Sequence, residues 1–183
     1  MLEISESFIG LTYKPSDVSE NGTLVLRSSN IQNSTLVFDD NVRVNTEIRE
    51  KLYVKENDIL MCSRNGSAAL VGKVARIPAL SEKMTFGAFM TIIRSEYSDY
   101  LFTYFQLPAF RQQVQTGTST INQITQKMLE KVMLPVPPLT EIDSFSKIIK
   151  QSDKSKYLAQ NVIHNTSQEV KHVYRSRFRK DGV

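Results

Sequence analysis

The sequence predicts an α+β chain: a mixed, β-rich globular head followed by one long C-terminal coiled-coil helix. Three observations predict it. After Pro138 there is no glycine or proline until Gly182, and a run that long without a breaker reads as a single helix. Before Pro138, short β-prone runs alternate with Gly, Asn, Asp and Pro, the punctuation of strands and turns. Charge divides at the same place. Residues 1–138 carry fourteen cationic and fourteen anionic side chains, whereas 139–183 carry nine and five. The expected boundaries are a head over 1–138 and a helix over 139–180.

Within the head, residues 8–13, 23–27 and 35–38 read as short strands. Residues 46–52 read as a short helix capped by Asn45 or Thr46. DILMCS at 58–63 is an apolar run of buried-strand length. Arg64-Asn65-Gly66 then reads as a turn, since Asn-Gly tolerates positive φ. Residues 70–77 and 89–94 are further strands. After Arg94 the period changes: Tyr97, Leu101, Tyr104, Phe105 and Leu107 recur at helical spacing, which predicts an amphipathic helix over 98–107. Pro108 ends it, and 109–115 begins a second helix. A polar loop over 115–123, a short helix over 124–129 and a last strand over 131–135 follow. Pro135, Pro137 and Pro138 make a stiff hinge.

The long helix opens at Thr140-x-x-Asp143, a capping-box-like start. About 38 helical residues would extend ~57 Å, so the helix needs a partner. With position a at Ile142, the a residues are Ile142, Ile149, Lys156, Ile163, Val170 and Arg177. The d residues are Phe145, Ser152, Ala159, Thr166 and Val173. Ile142, Phe145, Ile149, Ala159, Ile163, Val170 and Val173 form the expected dimerisation seam, interrupted by a polar centre at Ser152 and Lys156. The net positive charge of this helix could attract phosphates or simply be a solvated face.

Composition bounds the rest. Forty per cent hydrophobic residues in 183 support a core and argue against disorder. The longest apolar stretch, FGAFMTII at 86–93, is too short for a membrane span, and MLEISESF has no apolar signal region. One cysteine, Cys62, makes no internal disulfide, and a cytoplasmic location is expected. The Asn-x-Ser/Thr triplets at Asn21, Asn33, Asn65 and Asn165 read as chance matches.

No catalytic set is legible. His164 and His172 are two helical turns apart, too far to share a metal. Cys62 lies in an apolar strand and reads as a core residue. No phosphate-binding glycine loop and no GxSxG occurs. Asp153, Glu169 and Lys171 loosely suggest a metal-nuclease set, but they would spread ~24 Å along one helix. The chain is expected to be no enzyme, with no cofactor and no metal.

The succession NDILMCSRNGSAALVGKVARI (57–77), SDYLFTYFQLPAFRQQV (98–114), GTSTINQITQKMLEKVMLPVPPLTE (117–141) and a long helix resembles a DNA-specificity subunit of type I restriction–modification systems. The resemblance spans about 8–178. It rests on the order and spacing of a strand like GDIL, an R-x-G-S turn, a G-K segment and a strand-plus-proline motif. Asn57 stands where that family usually has glycine, and Ile142 where it usually has glutamine. Family members usually carry two target recognition domains and two spacer helices. This chain has one of each, so it looks like a half-size subunit or a fragment.

The resemblance implies a fold and a role. Residues 1–138 would be a target recognition domain reading one half of a bipartite double-stranded DNA site, and 139–180 a spacer helix that pairs to make a homodimer. An adenine methyltransferase (modification) subunit and a restriction/translocase subunit would supply the chemistry. Val136-Pro137-Pro138-Leu139 lacks the Asn and the aromatic of a methyltransferase motif. Base readout needs donors and acceptors on loops. The candidates are Lys14, Arg27, Ser28, Asn30, Arg64, Asn65, Lys83, Thr85, Ser119 and Asn122, with Lys73 and Arg76 as phosphate contacts. A second reading is a protein-interaction adaptor assembled by the helix. The neutral head motivates it, because autonomous DNA binders are usually basic.

Overall fold

The computed structural model of the chain describes residues 1–114 and 122–178; in the last helix it describes side chains only in part, and none after Glu169. Two units emerge, Met1–Val136 and Pro137–Val183.

The first unit holds nine strands and three helices among its described residues. A four-stranded sheet has the order β1 (Glu6–Ile9), β9 (Met90–Arg94), β6 (Ile59–Cys62), β7 (Val74–Arg76), antiparallel throughout. A second sheet orders β5 (Val42–Val44), β2 (Val18–Leu26) and β8 (Met84–Phe86), with β2 and β8 parallel. A hairpin joins β3 (Ile31–Gln32) to β4 (Thr35–Leu36). Its two-residue turn, Asn33-Ser34, has both residues at positive φ, the conformation that matches the twist of paired strands. Helices α1 (Ser98–Phe105), α2 (Pro108–Val114) and α3 (Gln126–Lys131) follow.

Strand β6 explains the layering. Its four residues are all buried, and successive side chains of a strand point to opposite faces. Ile59 and Met61 enter a core with Leu101, Phe105, Phe110 and Leu129 of the three helices. Leu60 and Cys62 enter a second core with Leu24, Leu26 and Phe86 of the smaller sheet. A strand buried on both faces reads as an unbroken apolar run, which is why DILMCS was legible. Burial also pushes the Cys62 thiol above its ordinary pKa, as befits a core residue. The two sheets meet where Leu11 bridges Gly87 and its N–H donates to Phe86 O at 2.7 Å. Gly10 permits that approach: a Cβ there would lie 2.3 Å from Gly87 O.

Several expectations are corrected. Residues 46–52 form only a 3-10 turn over Glu50–Leu52. Apart from half-buried Ile48, residues 45–51 are exposed, and so short a helix has no packing to stabilise it. No strand forms over 131–135. The Gln113 side chain takes the place of a neighbouring strand: its Oε1 accepts from Met133 N–H at 2.8 Å, and its Nε2 donates to Met133 O at 2.7 Å. Neither Asn65 nor Gly66 has positive φ; that conformation falls instead on Gly72 (φ 82) and Asn57 (φ 69). Asn57 therefore occupies a left-handed position that glycine adopts freely and asparagine tolerates. Strands β3, β5 and β8 were missed.

The second unit is α4, a helix over Leu139–Phe178. Among the described residues no helix is long and apolar enough to cross a membrane.

Candidate nucleic-acid interface

The four-stranded sheet has two ends with opposite character. At one end β6 and β9 run out together. Phe89 O accepts from both Ser63 N–H (2.9 Å) and Arg64 N–H (3.0 Å), and the buried Ser63 and Thr91 hydroxyls lie 2.6 Å apart. These bonds hold Arg64 beside Phe89. The guanidinium then sits over the ring, 5.4 Å from its centroid, while the ring stays 58% exposed. Ile124 N–H donates to Ser63 O at 2.7 Å and Gln123 bridges Arg64, so the segment after the polar loop is tied to the same strand end.

A groove of about 560 Å³ opens here, lined by Tyr13, Arg27, Ser28, Asp40, Phe89 and neighbours. Arg27 Nη2 donates to Asp40 Oδ2 at 2.7 Å, so its charge is compensated. Its Nε is buried with no hydrogen-bond partner among the described residues. Asn65 Nδ2 donates to Ser28 Oγ at 3.1 Å, and Asn65 Oδ1 accepts from Ser67 N–H at 2.9 Å. Asn65 thus orders its own loop and fastens it to the 3-10 turn over Ser28–Asn30. Among the described residues Arg64 forms no ion pair, which leaves an exposed guanidinium on the Phe89 ring, itself part of the groove wall. Such a fork can donate bidentately to a base edge or a phosphate.

The opposite end of the sheet is closed by ion pairs. Arg94 donates to both carboxylate oxygens of Asp58, at 2.8 and 2.6 Å, and stacks over Phe8. Asp58 is 2% exposed and also accepts from Lys55 N–H at 2.8 Å. Arg76, expected as a phosphate contact, pairs with Asp99 at 2.8 Å and lies over Phe102. It is one of the cations that close this end.

The structure therefore gathers part of the sequence-derived set. Arg27, Ser28, Arg64, Asn65 and Asn122 meet; Asn122 is exposed, and its carbonyl accepts from Asn65 N–H at 3.4 Å. Lys14 is exposed next to Tyr13 of the groove wall. Lys73 is exposed beside the end of β6. Lys83 is exposed but lies over the Tyr53 ring, at the start of β8, whereas the groove lies past its finish. Two candidates are corrected. Asn30 is fully buried, with Oδ1 accepting from Arg27 N–H and Nδ2 donating to Val37 O. Thr85 is fully buried, and its hydroxyl donates to Leu52 O. Neither can reach a base. Ser119 lies outside the described residues. Sequence reasoning missed Phe89, Tyr13 and Asp40. Residues 89–94 read as a strand, but Phe89 falls just before β9 and stays exposed.

Among the described residues no cluster of His, Cys, Asp or Glu could hold a metal. On α4, Ile142 is buried, Phe145 and Ile149 are half-buried, and Ala159 and Ile163 are exposed. Val170 and Val173 lie outside the described side chains. Ile148, Leu158 and Val162 are also exposed, and Ile148 and Val162 fall at heptad position g beside the expected a and d stripe.

A family model, the type I restriction modification DNA specificity domain, matches residues 2–167. The specificity subunit of the type I restriction enzyme StySPI of Salmonella potsdam is 25% identical over 161 residues, covering 80% of this chain and 35% of that protein. Among solved structures, a chain from a study of complex assembly and conformational transition in the type I R-M system superposes with a TM-score of 0.67 at 17% identity. The match covers 95% of this chain and 42% of that one. The HsdS subunit from Thermoanaerobacter tengcongensis gives 0.63 at 16%, covering 95% and 41%. The chain thus spans well under half the length of each of these relatives, and the two structures share its fold.

Proposed function

The chain belongs to the family of type I restriction modification DNA specificity domains, and from that membership we propose that its first unit reads double-stranded DNA sequence through the Arg64–Phe89 end of the sheet. One observation carries the assignment: the exposed guanidinium of Arg64, unpaired among the described residues, sits at a groove whose other polar groups hold one another in place. Base contacts need donors fixed on a rigid frame, and two backbone bonds to Phe89 supply that rigidity. The test is selection from random-core duplexes by the full chain at several salt concentrations. Enrichment of a defined short motif, with salt-dependent affinity, is expected. Affinity without sequence preference would remove the reading role.

The head reads one half of a bipartite target, and α4 pairs with α4 of a second copy to space two heads as a homodimeric coiled coil. The exposed apolar residues Ile148, Val162 and Ile163 support this, since they cluster along the seam that the heptad defines. Ile149→Glu and Ile163→Glu should each place a charge in an apolar interface and weaken the dimer by several kcal/mol in order of magnitude. Analytical ultracentrifugation checks this, and an unchanged dimer in both variants would refute the seam. Methylation and cleavage belong to partner subunits: an adenine methyltransferase and a restriction/translocase. A head of zero net charge binds DNA weakly alone, so the methyltransferase supplies much of the phosphate contact.

A further inference from the structure

A second groove, of about 610 Å³, lies between the β3–β4 hairpin, the turn before β7 and the α1–α2 corner. We infer that Lys73 and Arg111 in this groove form a phosphate clamp, which seats the backbone of the duplex while the Arg64 groove reads its bases. The clamp rests on the DNA-reading proposal and adds to it a residue, Arg111, that is not among the sequence-derived contacts and does not line the first groove.

Position comes first. Gly72 N–H donates to Cys62 O at 2.8 Å, and Cys62 N–H donates to Lys73 O at 2.9 Å. Arg64 is two residues beyond Cys62, so Lys73 and Arg64 emerge from neighbouring chain segments at one sheet end. Their Cα atoms are within roughly 12 Å, given ~5 Å between paired strands and under ~7 Å across two residues. A major groove about 12 Å wide sets a base edge and its flanking phosphates at just such separations.

Chemistry comes second. Neither the Lys73 ammonium nor the Arg111 guanidinium forms an ion pair among the described residues. No carboxylate lines this groove, whereas Asp40 lines the first one and would repel a phosphate. The Gln112 amide adds a neutral donor, while Gln106 Nε2 donates to Phe102 O at 3.0 Å. Gly72 is required by the arrangement. Its φ is +82°, and a Cβ there would crowd Ile124 Cδ1 at 3.3 Å and lie 3.8 Å from Arg111 Nη2. The Arg111 guanidinium thus packs against this stretch of backbone, next to Lys73. A lysine point charge beside an arginine fork, with no acid and no exposed ring stacked beneath, suits a phosphate rather than a base.

The test uses the full chain, with affinity for a random-core duplex pool and for its selected motif measured across salt concentrations. Each neutralised phosphate contact contributes about 0.9 to the slope of log affinity against log salt. Lys73→Ala and Arg111→Ala should each reduce the slope by about one, and the double variant by about two. Affinity should fall evenly across sequences, with the selected motif unchanged. Arg111→Lys keeps the charge and should keep the slope, which guards against a folding defect in the alanine variant. A wild-type slope in the double variant would overturn the clamp, as would a changed motif. Inorganic phosphate serves as a separate probe by calorimetry: tight phosphate binding with an unaltered duplex slope in the variants would also overturn it. A wild-type chain without salt-dependent duplex affinity would instead remove the DNA-reading proposal and the clamp with it.

Discussion

Arginines stand at both ends of the four-stranded sheet, and the two ends treat them differently. At the closed end Arg94 and Arg76 have carboxylate partners, Asp58 and Asp99, and aromatic rings beneath them. At the open end Arg64 has the ring without the carboxylate, and Lys73 and Arg111 have no ion pair among the described residues. The difference teaches that a cation at a strand end is structural or available according to what faces it, not according to its type or its place in a strand. Desolvated pairs hold the fold, because removing one partner strands a buried charge. Solvated cations cost the fold little to keep and little to lose.

The comparison can be broken first at its closed end. Arg94→Met should leave the Asp58 carboxylate buried without its counter-charge and destabilise the head by about 3 kcal/mol. Denaturant unfolding measures it, and a loss below ~1 kcal/mol would mean that this end is no tighter than the other. At the open end, Arg64→Ala should alter stability by no more than about 1 kcal/mol, the worth of an exposed cation–π contact. The same substitution should weaken binding to the selected motif by ~1–3 kcal/mol and relax one position of that motif. Paired unfolding and binding titrations check both halves. The smallest effect sharpens the closed end again. Asn57 sits at φ 69 next to Asp58, and Asn57→Gly should raise stability by about 0.5 kcal/mol by relieving the left-handed backbone. A decrease would mean that the asparagine side chain has a role of its own there.

Legibility followed burial. DILMCS was readable because both faces of β6 are covered, and α1 because its tyrosines, leucine and phenylalanine recur every three or four residues. Residues 46–52 misled because local propensity had no packing behind it. Residues 131–135 misled because a glutamine side chain stood in for a strand, a long-range event with no local signal. The candidate interface was half legible. Arg64 was found because it follows a strand in a turn-like sequence. Asn30 and Thr85 were included because polarity suggests a loop surface, and both proved buried with their polar atoms satisfied inside the chain. Arg76 looked like Lys73 in sequence, and Asp99 and Phe102 on α1 distinguish them. Phe89 and Arg111 are set beside residues 25 and 39 positions away, Arg64 and Gly72, a contact that no local pattern announces.

Strand β6 contributes alternate side chains to both hydrophobic clusters, Ile59 and Met61 to one and Leu60 and Cys62 to the other. Neither cluster can melt while the other survives intact, because the shared strand would have to be ordered and disordered at once. The head should therefore open as one cooperative body. Its rim, anchored to a strand that cannot fray by halves, is free to vary one side chain at a time, so a lineage could drift toward a new recognition word without passing through an unfolded ancestor.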